Sequence, residues 1–178
     1  MLLRRTLLAL SLAGASVFAS ADDTARTVSG AGTYVFLGLG LASPLLRDGS
    51  QGHERFWRTA DALGTSLILS EGLKSVIHAP RPDGHGNDSF PSGHATLAFT
   101  VAAMESRFQP REAPLWYAGA AWIGYSRIQL RKHNLTDVLA GAGLGYGIAQ
   151  LELSLPHGII LRPLIGNGGT GFALSGRF

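Results

Sequence analysis

The chain contains no cysteine, which excludes disulfides, thiolate zinc sites and a cysteine nucleophile. It also has no long basic run: 15 Lys and Arg face 12 Asp and Glu, a formal charge of +3. Nucleic-acid binding is therefore not expected. No internal repeat or low-complexity tract is visible, and the 178 residues suit one domain.

The first residues have the pattern of a targeting segment. Arg4 and Arg5 precede an uncharged, mostly apolar run that ends in the small residues Ala19-Ser20-Ala21. We expect residues 1–21 to be a signal peptide and residues 22–178 to form a single mature domain, exported to the periplasm or cell envelope. A short N-terminal membrane anchor is the alternative.

The hydrophobic pattern predicts an all-α fold, a bundle of about five helices within residues 28–153. Candidate helices cover, in order, residues 28–46, 53–78, 91–108, 115–130 and 134–153. The last of them contains Gly141, Gly143, Gly145 and Gly147, which lower helix propensity but permit close helix packing.

The tail, residues 158–178, is β-prone and rich in glycine. Two short apolar runs flank Gly166-Asn167-Gly168-Gly169, which predicts a small C-terminal hairpin. Among the helical segments, only residues 28–46 approach the roughly 20 apolar residues of a spanning helix. The shorter runs also fit the core of a soluble bundle, so membrane association and a soluble bundle both remain open.

Three short segments concentrate the polar chemistry, and each supplies a cation or a histidine. Lys74 and Arg81 lie at the end of the second predicted helix, and Arg127 ends a long apolar stretch. A cation at the edge of an apolar core is costly unless it meets an anion. Taken alone, each cation can be explained by a separate salt bridge, such as that of Lys74 with Glu71. Three cations that converge on one point favour binding of a dianionic phosphate.

The second segment is Pro91-Ser92-Gly93-His94, at a predicted helix start. Ser92 is a suitable N-cap, and Gly93 allows a ligand to approach the backbone. Free N–H groups and the helix dipole make such a terminus an anion site, although it also occurs as an ordinary helix start. We expect His94 to be neutral there until an anion binds, and then to act as a general acid.

The third segment, Ser126 to Asp137, pairs His133 with Asp137 four residues later, on one helix face. An aspartate that accepts from one imidazole nitrogen makes the other a better nucleophile. Alternatively, Asp137 only complements the helix start that follows Asn134.

Together the three segments resemble the tripartite signature of the type 2 phosphatidic-acid phosphatases, shared with class A acid phosphatases and vanadium haloperoxidases. Lys74 with Arg81-Pro82, Pro91 to His94, and Ser126-Arg127 with His133 and Asp137 match its motifs in order and spacing. The loop between Pro82 and Pro91 is short for the family.

The resemblance implies a helical bundle with the active site at one end and no metal or other cofactor. It implies that His133 attacks phosphorus, Asp137 orients it, and His94 protonates the leaving oxygen. The phosphoryl oxygens would be held by Lys74, Arg81, Ser92, Gly93 and Arg127. The expected substrate is a phosphate monoester or diphosphate of a lipid, such as phosphatidic acid or undecaprenyl diphosphate, hydrolysed outside the cytoplasm.

Other functions share parts of this pattern. A soluble periplasmic acid phosphatase would use the same residues, and a vanadium-dependent haloperoxidase would hold vanadate in the same cradle. A metal site has the candidate ligands His78, His85, Asp88 and His94, but no zinc spacing fits them. A non-catalytic envelope protein would retain the motifs without turnover.

Overall fold

A computed structural model describes residues 21–155, 161–166 and 169–174. The predicted signal peptide lies outside the described residues except for Ala21. Within the described part, five helices follow one another: α1 Ala21–Arg47, α2 Gly52–Ile77, α3 Gly93–Phe108, α4 Ala113–Gln129 and α5 Leu135–Ser154. Short 3₁₀ turns at Gly49–Gln51 and Pro110–Glu112 connect α1 to α2 and α3 to α4. The predicted all-α bundle is confirmed.

Helix α3 lies at the centre of the bundle and contacts each of the other four helices. Small side chains make this possible, because Ala95, Ala98 and Ala102 are fully buried and let neighbouring helices approach. Val101 and Met104 fill the remaining space along the same helix. The helix that carries the second motif is thus the one surrounded by all the others.

Two glycines set the close approach of α5 to α3. A Cβ added to Gly141 would lie 2.5 Å from the carbonyl oxygen of Ser92, and one added to Gly145 would lie 2.1 Å from that of Thr96. By contrast, a Cβ at Gly143 or Gly147 would meet nothing within 4 Å. Gly141 and Gly145 therefore permit close helix packing, as expected, whereas Gly143 and Gly147 face open space.

The alternating direction of the five helices places all three motifs at one end of the bundle. Helix α2 ends at His78, whose left-handed conformation (φ 50°) precedes Pro80 and Pro82. The chain then returns through a loop to the start of α3, and the turn after α4 leads to the start of α5. We call this the motif end of the bundle.

One described helix, α1, is long and apolar enough to cross a membrane by length and composition. After α5, Leu161–Gly166 (β1) pairs antiparallel with Gly169–Leu174 (β2). The C-terminal hairpin stays a prediction, because residues 156–160 and the connecting residues 167–168 lie outside the described residues.

Candidate active site

Lys74 lies in the last turn of α2, where its side chain contacts the start of α3. Its Nζ lies 3.3 Å from the position that a Cβ on Gly93 would occupy, so a larger residue there would push the ammonium group aside. The same Nζ lies 2.6 Å from Oε1 of Glu71, the salt bridge that the sequence also allowed. Lys74 therefore has a carboxylate partner and at the same time faces the Gly93 backbone.

Arg81 follows the end of α2 and is held by a carboxylate along one edge of its guanidinium. Its Nε donates to Oδ1 of Asp88 over 2.7 Å, and its Nη2 donates to Oδ2 over 2.6 Å. This pair holds the pKa of the Asp88 carboxyl below its usual value. Asp88, one of the candidate metal ligands, is thus an ion-pair partner of a motif residue.

Arg127 reaches the cluster from the last turn of α4. Its Nη1 donates to Oγ of Ser29 in α1 over 2.5 Å. Its Nε is buried and has no hydrogen-bond partner among the described residues. Burial, followed by the positive charge of Arg81, lowers the pKa of Arg127, which shows that the two guanidinium groups are electrostatic neighbours.

Ser92 occupies the N-cap position of α3 without acting as a side-chain cap. Its backbone is extended (φ −71°, ψ 107°), but its hydroxyl makes no capping bond, contrary to the usual N-cap role. The Oγ atom is buried without a partner in the described part of the chain. The N–H of Ser92 donates to the carbonyl of Asp137 over 3.0 Å and ties α3 to the first turn of α5.

His94 lies in the first turn of α3 and is neutral at physiological pH. Burial is the main cause that lowers its pKa to about 4, and the positive charges of Arg127 and Lys74 act in the same direction. This low pKa agrees with the neutral imidazole expected from the sequence, with burial among cations as its cause. The carbonyl of Ser29 lies beside the ring and partly offsets these effects.

His133 is 3% exposed and directs one ring nitrogen at a backbone carbonyl. Its Nδ1 lies 2.7 Å from the carbonyl oxygen of Ser89, which can only accept, so Nδ1 carries the hydrogen and Nε2 carries the lone pair. Burial, followed by the positive charges of Arg127 and Arg81, lowers the pKa of His133 to about 4, although the hydrogen bond to Ser89 acts in the opposite direction. A buried, neutral imidazole with a free Nε2 is suited to nucleophilic attack.

Asp137 does not bond His133 directly, which corrects the expected pairing. Its Oδ2 lies 4.0 Å from Nδ1 of His133, beyond hydrogen-bond range. The same oxygen accepts from the Ser89 hydroxyl over 2.6 Å and from the Asn134 N–H over 2.8 Å. The bond to Asn134 belongs to a capping box, the alternative role considered for Asp137.

The structure brings together all the predicted site residues at the motif end. Two further residues, Ser89 and Ser29, join them and were not predicted. Both face a histidine ring with their backbone carbonyl. Because every residue type has such a carbonyl, this role could not be predicted from the sequence. Of the candidate metal ligands, His78 and His85 are exposed, and no group of three His, Asp or Glu side chains is arranged to hold a metal among the described residues.

The fold and this cluster define a helical bundle that brings three cations and two histidines together at one end. The chain belongs to the PAP2 superfamily, whose family model matches residues 56–159. All three motifs lie inside that range, whereas Ser29 lies before it.

The chain is similar to two kinds of curated bacterial proteins. It is 34% identical to the lipid A 1-phosphatase of Porphyromonas gingivalis over 113 residues, covering 58% of this chain and 25% of that protein. It is 35% identical to the phosphatidylglycerophosphatase B of Bacillus subtilis over 98 residues, covering 46% of this chain and 48% of that protein. The chain thus spans between a quarter and half of the length of these relatives.

Two solved structures share the fold. The crystal structure of Aquifex aeolicus LpxE matches with a TM-score of 0.56 at 25% identity, over 75% of this chain and 94% of that one. A Bacillus subtilis transmembrane PAP2-type phosphatidylglycerolphosphate phosphatase matches with a TM-score of 0.56 at 22% identity, over 80% of this chain and 84% of that one. The second likeness concerns the fold alone.

Proposed function

We propose that this protein is a lipid phosphatase that hydrolyses a phosphate ester through a phosphohistidine intermediate. The observation that carries the proposal is the unpartnered polar atoms among the cations: Ser92 Oγ and Arg127 Nε are buried without a partner in the described part. Buried donors without partners are costly, and a phosphoryl group would satisfy both. The names of the relatives, phosphatases of lipid A and of phosphatidylglycerophosphate, support a lipid phosphate as the substrate.

The first step is attack of the His133 Nε2 lone pair on phosphorus. The P–N bond forms, the P–O bond to the lipid breaks, and the leaving oxygen takes a proton from His94, which is protonated once the phosphate dianion has bound. In the second step the now neutral His94 accepts a proton from water, the resulting hydroxide attacks phosphorus, and the P–N bond breaks with its electron pair returning to His133 Nε2. Phosphate is released, His133 is neutral again, and His94 is left protonated, as it was before the first step.

The three cations and the start of α3 would stabilise the negative charge that develops on the phosphoryl oxygens. The guanidinium groups of Arg81 and Arg127 match two oxygens each, and Lys74 supplies a point charge. Ser92 and the N–H of Gly93 would add neutral donors at the helix start. Asp88 occupies the Nε and Nη2 edge of Arg81, so Nη1 and the second hydrogen of Nη2 remain for the phosphate.

Apolar side chains beside the cluster favour a lipid over a soluble ester. Val76 and Ile77 end α2 just past Lys74 and are 76% and 44% exposed. Leu135 begins α5 two residues after His133 and is 58% exposed. An acyl chain extending from the bound phosphate would cover this surface. A soluble acid phosphatase would not need this exposed apolar surface. It remains the second candidate because the residues of the cluster would contact only the phosphate group.

We further propose that the site faces the outside of the cytoplasm, at the membrane of the cell envelope. The predicted export segment supports this location, and α1 is suited to contact the membrane. Lipid phosphates present their headgroups at the membrane surface, where a site at one end of a helical bundle can reach them.

The test is phosphate release by purified protein from phosphatidic acid, phosphatidylglycerophosphate, undecaprenyl diphosphate, lipid A phosphate and a soluble monoester. We expect lipid substrates to be preferred and His133→Ala to abolish turnover. His53→Ala, an exposed histidine at the opposite end, is the matched control and should keep full activity. Preference for the soluble ester would favour the second candidate. Near wild-type activity of His133→Ala would refute the mechanism.

A further inference from the structure

Helix α1 is kinked where it passes the cluster. The kinked turn covers Val28–Gly32, and Gly30 has non-helical backbone angles (φ −96°, ψ −105°). The N–H of Thr33, which in a regular α-helix would donate to the carbonyl of Ser29, donates to Gly30 instead. The kink therefore changes the direction of backbone and side-chain groups at this point of α1.

Ser29, within this turn, contacts two residues of the cluster through two different groups. Its hydroxyl accepts from Nη1 of Arg127, which comes from α4. Its carbonyl lies beside the ring of His94, which comes from α3, and raises the pKa of that ring. Ser29 is only 5% exposed, so water does not compete for the bond to Arg127. One residue of α1 thus lies between the groups assigned to charge stabilisation and to proton transfer.

We propose that Ser29 is a positioning residue of the phosphate site: its hydroxyl orients the Arg127 guanidinium. The proposal rests on the proposed function. With Nη1 held by Ser29, the unpartnered Nε of Arg127 is fixed in place for a phosphoryl oxygen.

The two contacts can be separated by mutation, because Ser29→Ala removes the hydroxyl and leaves the carbonyl. We expect this variant to lose about 10-fold or more in kcat/KM and in orthovanadate affinity, the usual effect of losing a hydrogen bond to a charged group. The part of the pH–rate profile that reports His94 should not move. Ser43→Ala is the matched control, since Ser43 is a buried serine of α1 away from the cluster, 9% exposed.

Vanadate binding in the Arg127→Ala background tests whether Ser29 acts through Arg127. There Ser29→Ala should cause little further loss, because the residue that its hydroxyl orients is gone. Thermal midpoints measured beside binding separate positioning from stability, since both serine variants should unfold at similar temperatures.

The proposal is overturned if Ser29→Ala binds vanadate like the wild type, or if its effect is equally large without Arg127. Failure of the proposed function gives a different result. In that case the wild type itself neither binds vanadate nor releases phosphate, whatever stands at position 29.

Discussion

Asp137 and His133 are linked through hydrogen bonds to the same residue, Ser89. The Asp137 carboxylate accepts from the Ser89 hydroxyl over 2.6 Å, and His133 Nδ1 donates to the carbonyl of the same serine over 2.7 Å. The aspartate therefore fixes the serine, and the serine fixes the tautomer of the histidine. This relay replaces the direct aspartate–histidine contact expected from their spacing.

The relay predicts a limited cost for Asp137→Asn. Loss of a direct aspartate–histidine pair lowers kcat by about 10⁴-fold, as in serine-protease triads. Because the Ser89 carbonyl keeps holding Nδ1, we expect a decrease of only about 10- to 100-fold, with KM little changed. Steady-state kinetics of Asp137→Asn, Ser89→Ala and the double variant measure this. In the double variant the two effects should not add, and full additivity would contradict the relay.

Anion binding should cause His94 to take up a proton. The free ring, with a pKa of about 4, is neutral between pH 5 and 7. A bound dianion offsets the surrounding cations and raises that pKa, so binding should be tighter at lower pH. Sulfate is the suitable probe because it stays dianionic in this range. Calorimetry in buffers of different ionisation enthalpy counts the protons taken up.

His94→Gln should abolish this proton uptake, and His133→Gln should preserve it. If proton uptake disappears only in His133→Gln, then His133 is the proton donor and His94 is the nucleophile, the reverse of the proposed roles.

Alternate glycines of α5 should respond to alanine with opposite signs. Gly141→Ala places a Cβ 2.5 Å from a backbone oxygen of α3, so the helices must separate and the thermal midpoint should fall. Gly143→Ala meets no atom within 4 Å, and the better helix propensity of alanine should stabilise the protein by about 0.5–1 kcal/mol. Thermal unfolding of the two variants side by side checks the prediction. Equal effects would show that α5 does not pack on α3 through this face.

Glu105 should make the protein less stable as pH rises. It is fully buried in α3, and burial raises the pKa of its carboxyl to about 7 from 4.5, an effect that Ser43 partly offsets. The folded state therefore holds a proton that the unfolded state has lost, and this contribution to stability disappears as pH rises from 4.5 through about 7. Glu105→Gln cannot ionise, so its thermal midpoint relative to wild type should rise by a few degrees from pH 5 to pH 8.

The control for this comparison is Glu54→Gln. Glu54 is 65% exposed by side chain, so its difference from wild type should stay constant with pH. A constant difference for Glu105→Gln as well would mean that its carboxyl is already ionised at pH 5.

The helices and the motif residues could be predicted because side-chain type carries their signal. Prolines and a cap residue bounded the segments: Pro80 and Pro82 follow α2, and Asn134 precedes α5 as predicted. Motif spacing likewise indicated which cations and histidines belong together. Residue types and their spacing along the chain can be read from a single sequence, so these features could be predicted.

The support behind the motif residues could not be predicted in the same way. Ser29 lies 98 positions from Arg127, and Ser89 lies 44 from His133, so only the packed helices bring them together. From the sequence Asp88 was considered only as a candidate metal ligand, yet it accepts from both Nε and Nη2 of Arg81. Sequence spacing also suggested a direct His133–Asp137 bond, because it does not show that a nearby carbonyl competes for Nδ1.

Each of the five helices brings something to the motif end: Ser29 from α1, Lys74 from α2, His94 from α3 and Arg127 from α4, with Asp137 from α5. No subset of helices contains a complete site. A chain that is still threading through a membrane, or that has lost the docking of one helix, cannot catalyse the reaction. If the proposed function holds, turnover therefore reports that the whole bundle has assembled.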